Sequence, residues 1–242
     1  MNEDKNIFSE EEEDLILRGI WIGLFSASRL PKKLYSKTAS HLVDGVKEGF
    51  GKKSDYLVSL EENIYMFSAA KTYQQTKEMS LNVLNSEGAK RSFKEFKDMA
   101  SPVFGEYNKN YLKSEYVTAV SGARNAANWK SFNEDFRQLK YSAVIDSHTS
   151  ELCKSLNGYV ADKSDPIWKR ISPPAHFNCR CKVQEINGEI NKTEVGDLNP
   201  AFENNTGDTG KIFSNNHPYF SVPSKDEAYA RRNFDLKIPN SK

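Results

Sequence analysis

The 242-residue sequence lacks most features that mark secreted and membrane proteins. Its three cysteines are too few and too close together, all within residues 153–181, for the disulfide framework of a secreted domain. No apolar run is long enough to span a bilayer, and the longest, 15–30, is interrupted by Arg18 and Arg29. The acidic run 10–14 is the opposite of a secretory leader, so we expect no signal peptide.

The charge balance and the motif content exclude several further classes. The 34 basic and 33 acidic side chains leave a net charge of +1, which provides no overall attraction to nucleic acid or to an anionic membrane. The sequence contains no Gly-rich phosphate loop, no His-Glu-x-x-His motif and no carboxylate constellation. Aromatic residues, at 12%, are nevertheless too frequent for a disordered chain. We therefore expect a folded protein that is not an enzyme and has no small-molecule substrate and no membrane partner.

Helical periodicity dominates the first half of the chain. Ser9, followed by four glutamates, predicts a helix start, because its hydroxyl can cap the backbone and the acids favour the positive end of the helix dipole. Further helices are predicted over residues 34–50, 56–84, 90–100 and 106–136. Small and aromatic residues form a stripe on the last of these helices, which predicts a close packing seam with another helix. The stripe comprises Tyr116, Ala119, Val120, Ala123, Ala126, Ala127 and Trp129.

The composition changes after about residue 139. Short strands are predicted over 141–145, 158–161 and 182–186, with a turn and one helix over 146–157, while prolines at 166, 173 and 174 argue against regular structure between them. Beyond residue 188 the chain is rich in Asn, Gly, Thr and Pro, which predicts an extended arm or a surface-wrapping tail with little core of its own.

These patterns predict an α+β fold that is mostly α, in three parts. Residues 1–136 form a helical region, residues 137–187 form a small cysteine/histidine-stabilised α+β module, and residues 188–242 form an extended C-terminal tail.

The small module carries the residues with chemical potential. Cys153, His176, Cys179 and Cys181 supply one complete tetrahedral ligand set for structural zinc, with no position left open for a catalytic water. A Cys-x-Cys pair is not the usual zinc clip, so two alternatives stay open: a disulfide between Cys153 and one of the other two, and reduced, packed thiols. Cys–His nucleophilic catalysis is disfavoured because no oxyanion loop or orienting group is apparent.

Neighbouring polar residues have simpler interpretations. Asp146 and Thr149 are expected to cap the helix that carries Cys153, and Arg180 could offset the charge of the flanking thiolates. His148 is an alternative fourth ligand, although a surface position is the simpler expectation.

These motifs resemble those of the phage Mu F-like minor head proteins, also called phage head morphogenesis proteins. The likeness spans roughly residues 106–222, and one departure is His148, where many relatives carry arginine. The segments that carry it are 115–129, 141–149, 153–158, 165–168, 173–181, 199–202, 209–213 and 217–220.

The resemblance implies a structural minor capsid protein of a tailed phage or prophage, made in the bacterial cytoplasm and located in the virion, in the head interior or at the portal vertex. It implies portal and/or major capsid proteins as partners during head assembly or genome delivery, with packaged DNA as a secondary candidate. The alternative is a metal-dependent hydrolase or toxin-like enzyme built on the Cys/His cluster.

Overall fold

The computed structural model describes residues 7–51, 54–133 and 137–234, and these residues form a mostly helical α+β fold, as predicted. The α-helices are α1 (Glu10–Trp21), α2 (Lys32–Phe50), α3 (Asp55–Ser80), α4 (Phe93–Gly105), α5 (Leu112–Ser131), α6 (Glu151–Leu156), α7 (Trp168–Ile171), α8 (Thr206–Thr209) and α9 (Ser224–Phe234). The strands are β1 (Gln138–Ser142), β2 (Val160–Asp162) and β3 (Lys182–Ile186). Among the residues described, no helix has both the length and the apolar character needed to cross a membrane.

The chain divides into two compact units. The first combines Met1–Leu42, Ile64–Ser114 and Pro218–Lys242, and the second combines Val43–Asn63 and Glu115–His217. Both units therefore draw on non-contiguous stretches of sequence. The three-part division at residues 136 and 187 stays a prediction about which parts fold independently.

The start of α1 in the first unit agrees with its sequence pattern. The Ser9 hydroxyl accepts a hydrogen bond from the Glu12 amide at 3.2 Å, and the Glu12 carboxylate accepts one from the Ser9 amide at 3.0 Å. This reciprocal arrangement is a capping box, which satisfies two backbone donors at the helix start. The predicted helix start at Ser9 is confirmed.

The predicted end of the helix over residues 90–100 is wrong. The helix was expected to stop at Ala100 before Pro102, but α4 continues through Pro102 to Gly105. Phe96, Ala100 and Phe104 all lie in one hydrophobic core of the first unit, and their burial outweighs the local cost of a proline inside a helix.

The long helix predicted over 106–136 is shorter and less regular than expected. Its first turn, Glu106–Tyr111, is π-helical, and regular α5 then ends at Ser131, while the predicted end at 136 lies outside the described residues. Within the π-helical turn, the buried Asn108 side chain donates to the Phe104 carbonyl at 2.9 Å, which supplies a partner for a backbone acceptor where the helical pattern changes.

The small-residue stripe of α5 is a packing seam, as predicted, and α2 supplies its partner in the second unit. A Cβ placed on Gly49 would overlap the Val120 carbonyl oxygen and lie 3.0 Å from the Ala123 Cβ. A Cβ on Gly45 would lie 3.1 Å from the Tyr116 ring. The two helices therefore approach closely because α2 carries glycine at positions four residues apart.

The three strands form one antiparallel sheet in the order β2–β1–β3. The observed β3 matches the predicted strand 182–186, whereas β1 lies three residues before the predicted 141–145. Leu139 and Tyr141, two residues apart, both point into the core, while Val144 and Ile145 are 45% and 58% exposed. The burial of Leu139 and Tyr141 therefore determines where the strand begins and ends. The prolines also do not exclude regular structure, because the four-residue α7 lies between Pro166 and Pro173.

The first part of the predicted tail, residues 188–217, has little regular structure, as predicted, but it packs on the chain itself. In the second unit the Asn63 amide donates to the Phe213 carbonyl at 3.0 Å and accepts from the Ile212 and Phe213 amides at 2.9 Å each. Tyr56 likewise donates to the Thr206 carbonyl at 2.6 Å. Side chains such as Ile212 and Phe213 are buried, and Asn63, which lies outside the tail, holds their backbone, so this segment wraps on the rest of the unit.

The end of the tail packs within the first unit. Gln74 donates to the carbonyls of Tyr219 and Ser221, both at 3.0 Å, and Tyr73 donates to Asp226 at 2.5 Å. Phe220 is buried against Phe67. These contacts are distant in sequence, which is why local composition did not predict them.

Candidate metal centre

Cys153 lies in α6, and the start of this helix differs from the sequence expectation. Ser150 caps α6 by accepting a hydrogen bond from the Cys153 amide at 3.2 Å. Asp146 and Thr149, which were expected to cap the helix, instead form a separate turn in which the Asp146 amide donates to the Thr149 hydroxyl at 2.8 Å. The helix begins only after this turn, so the nearer hydroxyl becomes the cap.

The three cysteines converge in the core of the second unit. Their sulfur atoms all lie within 4.8 Å of one another, and the Cys153 and Cys179 sulfurs are 3.9 Å apart. The side chains of Cys153, Cys179 and Cys181 are 1%, 1% and 5% exposed, and all three are free thiols. Zinc–sulfur bonds of ~2.3 Å at tetrahedral angles separate sulfurs by about 3.8 Å. The cluster could therefore hold a metal ion with small adjustments.

His176 approaches the same cluster with a suitable ring nitrogen. Its Nε2 lies 3.1 Å from the Cys153 sulfur and 3.0 Å from the Ser150 hydroxyl. Its Nδ1 lies 2.6 Å from the Phe177 carbonyl oxygen, which can only accept, so Nδ1 carries the proton in this contact. The tautomer that results leaves an Nε2 lone pair directed towards Cys153, as in metal sites whose histidine is oriented by a backbone carbonyl.

His148 does not join these groups. It is exposed in the turn before α6, where its Nδ1 contacts the Ser147 hydroxyl at 3.3 Å. Among the described residues the three cysteines form the group that could hold a metal ion, and both candidate histidines lie outside it, although His176, unlike His148, contacts one of its sulfurs. The alternative of His148 as the fourth ligand therefore has no support from the geometry.

The thiols are electrostatically coupled. Hydrogen bonds from the Cys179 and Cys181 thiols lower the pKa of Cys153, and donating those hydrogen bonds raises the pKa of Cys179 and of Cys181. The hydrogen bond with Cys153 also raises the pKa of His176. Burial raises the pKa of the Tyr141 hydroxyl, which lies 3.5 Å from the Cys153 sulfur. Cys153 is therefore the thiol on which the hydrogen bonds of the cluster converge.

One face of α5 holds the loop before β3, which carries two of the cysteines. Ser121 donates to the Cys179 carbonyl at 2.8 Å, and Asn125 donates to the Cys181 carbonyl at 3.3 Å. On the same helix, the Asn128 amide donates to the Val183 carbonyl at 2.5 Å. The sequence pattern did not single out these residues, although their spacing of four and three within a small-residue helix places them on one face. Their amides and hydroxyl orient the backbone on both sides of Arg180.

The fold and this cluster define a mostly helical α+β protein with three buried cysteines that could hold a metal ion and with His176 beside them. Residues 74–184, a little under half of the chain, match the family described as Phage Mu protein F like protein. The resemblance to the phage Mu F-like family is therefore confirmed over this region. All four candidate ligands lie inside the matched range, whereas the likeness of segments beyond residue 184 stays a prediction.

A curated relative supports the same family. The chain is 32% identical over 78 residues to the Mu-like prophage FluMu F protein of Haemophilus influenzae. The aligned part covers 32% of this chain and only 19% of the relative. The chain thus matches about a fifth of that protein's length. No solved structure matches the chain significantly.

Proposed function

We propose that the protein is a structural minor capsid protein of a tailed phage or prophage, acting during head assembly or genome delivery. The observation that carries this proposal is the family match over residues 74–184, which includes the Cys/His cluster. Its partners are portal and/or major capsid proteins, and its location is the head interior or the portal vertex. It is made in the bacterial cytoplasm and has no catalytic role.

Within this role, Cys153, His176, Cys179 and Cys181 bind one structural zinc ion. The three thiols supply soft ligands within 4.8 Å of one another, and the Nε2 atom of His176 supplies the fourth donor. Bound zinc would tie α6 to the loop before β3, and its binding energy would stabilise the fold of this region. Four protein ligands leave no coordination position for water, which favours a structural over a hydrolytic centre.

The second candidate function is an enzyme built on the same residues, and the 3.1 Å contact between Cys153 and His176 favours it. Such a pair is the arrangement of an activated thiol nucleophile. Against it, the Cys153 side chain is only 1% exposed, which leaves little room for a substrate to reach its sulfur.

Alanine substitutions distinguish the two candidates. A structural centre predicts that Cys153→Ala and Cys181→Ala lower stability and head assembly together. A nucleophile predicts that Cys153→Ala abolishes hydrolysis of peptidoglycan or nucleic acid while the chain stays folded. Hydrolysis by the purified chain that depends on Cys153 would refute the structural proposal.

The assembly role is tested in the phage or induced prophage that carries the gene. A stop codon early in the gene should lower the yield of DNA-filled heads, and the full chain supplied in trans should restore it. Crosslinking of purified particles, followed by mass spectrometry, should recover the chain attached to portal or major capsid protein. Normal filled heads without the protein, together with its absence from wild-type particles, would refute the proposal.

A further inference from the structure

A bidentate ion pair joins the two segments that carry the candidate ligands. Arg180 donates from Nη1 to Asp146 Oδ2 and from Nη2 to Asp146 Oδ1, both at 2.7 Å. Arg180 lies between Cys179 and Cys181, while Asp146 opens the turn that leads to Ser150 and α6. The Arg180 guanidinium therefore forms an ion pair with a carboxylate. The expectation that it only offsets the charge of the flanking thiolates is incomplete.

The turn around Asp146 fixes the orientation of its carboxylate. Its Oδ1 accepts hydrogen bonds from the His148 amide at 2.8 Å and from the Thr149 hydroxyl at 3.2 Å. The Thr149 hydroxyl also donates a hydrogen bond to the Val144 carbonyl oxygen at 2.5 Å. The Arg180 guanidinium holds the pKa of the Asp146 carboxyl well below its usual range, so this carboxylate is charged at neutral pH. This geometry gives the Asp146-x-x-Thr149 motif a purpose other than helix capping.

We propose that the Asp146–Arg180 ion pair is a positioning device that holds Cys153 opposite Cys179 and Cys181 before the metal binds. The inference rests on the proposed zinc centre. A planar guanidinium that meets a carboxylate through two parallel hydrogen bonds restricts both distance and angle, which a single lysine contact does not. Ligands held near their final positions lose less conformational freedom on binding, so the affinity for the metal is higher.

The test measures zinc affinity of the full chain by competition with a chromophoric chelator. Asp146→Asn keeps an oxygen for the turn but removes the charged partner, and Arg180→Lys keeps the charge but removes the second hydrogen bond. Because the pair is partly exposed, at 37% and 45%, each variant should bind zinc about tenfold more weakly, at the lower end of outer-shell effects. The double variant Asp146→Asn/Arg180→Lys should bind no more weakly than either single variant.

The matched control is Glu151→Gln. This change also removes one negative charge, but at the start of α6, where Glu151 pairs with Lys154 at 2.6 Å on the exposed surface. Because this exposed pair does not involve Arg180, zinc affinity should be unchanged. The visible spectrum of the cobalt-loaded chain gives a second readout, since loss of tetrahedral geometry weakens its d–d bands. Wild-type and Glu151→Gln chains should give the same spectrum, and the Asp146→Asn spectrum should be weaker at equal metal concentration.

The outcomes separate the two proposals. A wild-type chain that binds no zinc would overturn the metal centre and the positioning role with it. A wild-type chain that binds zinc, with Asp146→Asn and Arg180→Lys binding equally well, would overturn the positioning role alone. Arg180→Lys binding like wild type while Asp146→Asn binds weakly would show that charge acts without the bidentate geometry, which also contradicts the inference.

Discussion

The close approach of α2 and α5 makes Gly49→Ala a direct test of the fold around the cysteine cluster. The new Cβ would overlap the Val120 carbonyl oxygen and lie 2.9 Å from the carbonyl carbon of the same residue. These obstacles belong to the backbone, so no side-chain rotation can relieve them. Because α5 also holds the carbonyls of Cys179 and Cys181, a shift of this helix would reach the ligand segment.

The magnitude follows from two opposing effects. Overpacking a close contact costs about 3 kcal/mol when the neighbour is backbone, at the upper end of the usual range. Replacing a helical glycine by alanine returns about 1 kcal/mol through helix propensity. The net loss of about 2 kcal/mol should lower the melting temperature by about 4–8 °C for a chain of this size.

The control is Gly105→Ala, at the end of α4. Gly105 has a helical φ of −63°, and a Cβ at this position would meet no atom within 4 Å. The same chemical change should therefore leave the melting temperature unchanged or raise it slightly. Both variants are measured by circular dichroism or calorimetry beside the wild type. Equal melting temperatures for Gly49→Ala and wild type would refute the close helix packing.

Three further predictions concern the seam, the thiols and one ion pair. Ala123→Leu should lower stability by about 1–3 kcal/mol, because Ala123 is fully buried in the same seam; a stable, compact variant in gel filtration would place that face in solvent. If zinc is bound, Cys179→Ser should lower the melting temperature while far-ultraviolet circular dichroism stays nearly unchanged, since most of the helices lie outside the small module; an unchanged melting profile would make the thiols incidental. Hydrogen bonding to Lys37, at 2.6 Å, lowers the pKa of Glu12 from 4.5 to about 2, so the stabilisation is present above pH 4.5 and lost as the pH falls to 2. Glu12→Gln retains the capping-box oxygen and should melt below wild type at pH 7, and this difference should shrink between pH 4.5 and 2; a constant difference would contradict the ion-pair origin.

Local spacing explains most of what the sequence alone could predict. The Ser9 cap, the strand 182–186 and the small-residue face of α5 each follow from residues within a few turns or one strand of each other. A candidate set of three thiols and one imidazole is also readable without a structure, because it matches the chemistry of a tetrahedral site. The sequence likewise carries the family resemblance confirmed over residues 74–184.

The rest depends on contacts between residues far apart in the chain. Asp146 meets Arg180 across 34 positions, and Asn63 meets Phe213 across 150. Local composition predicted a helix cap for the first and a tail with little core of its own for the second, because a polar side chain does not reveal which distant backbone or charge will satisfy it. The tertiary structure alone decides those partners, because many positions along the chain could supply one and only the fold brings a particular pair together.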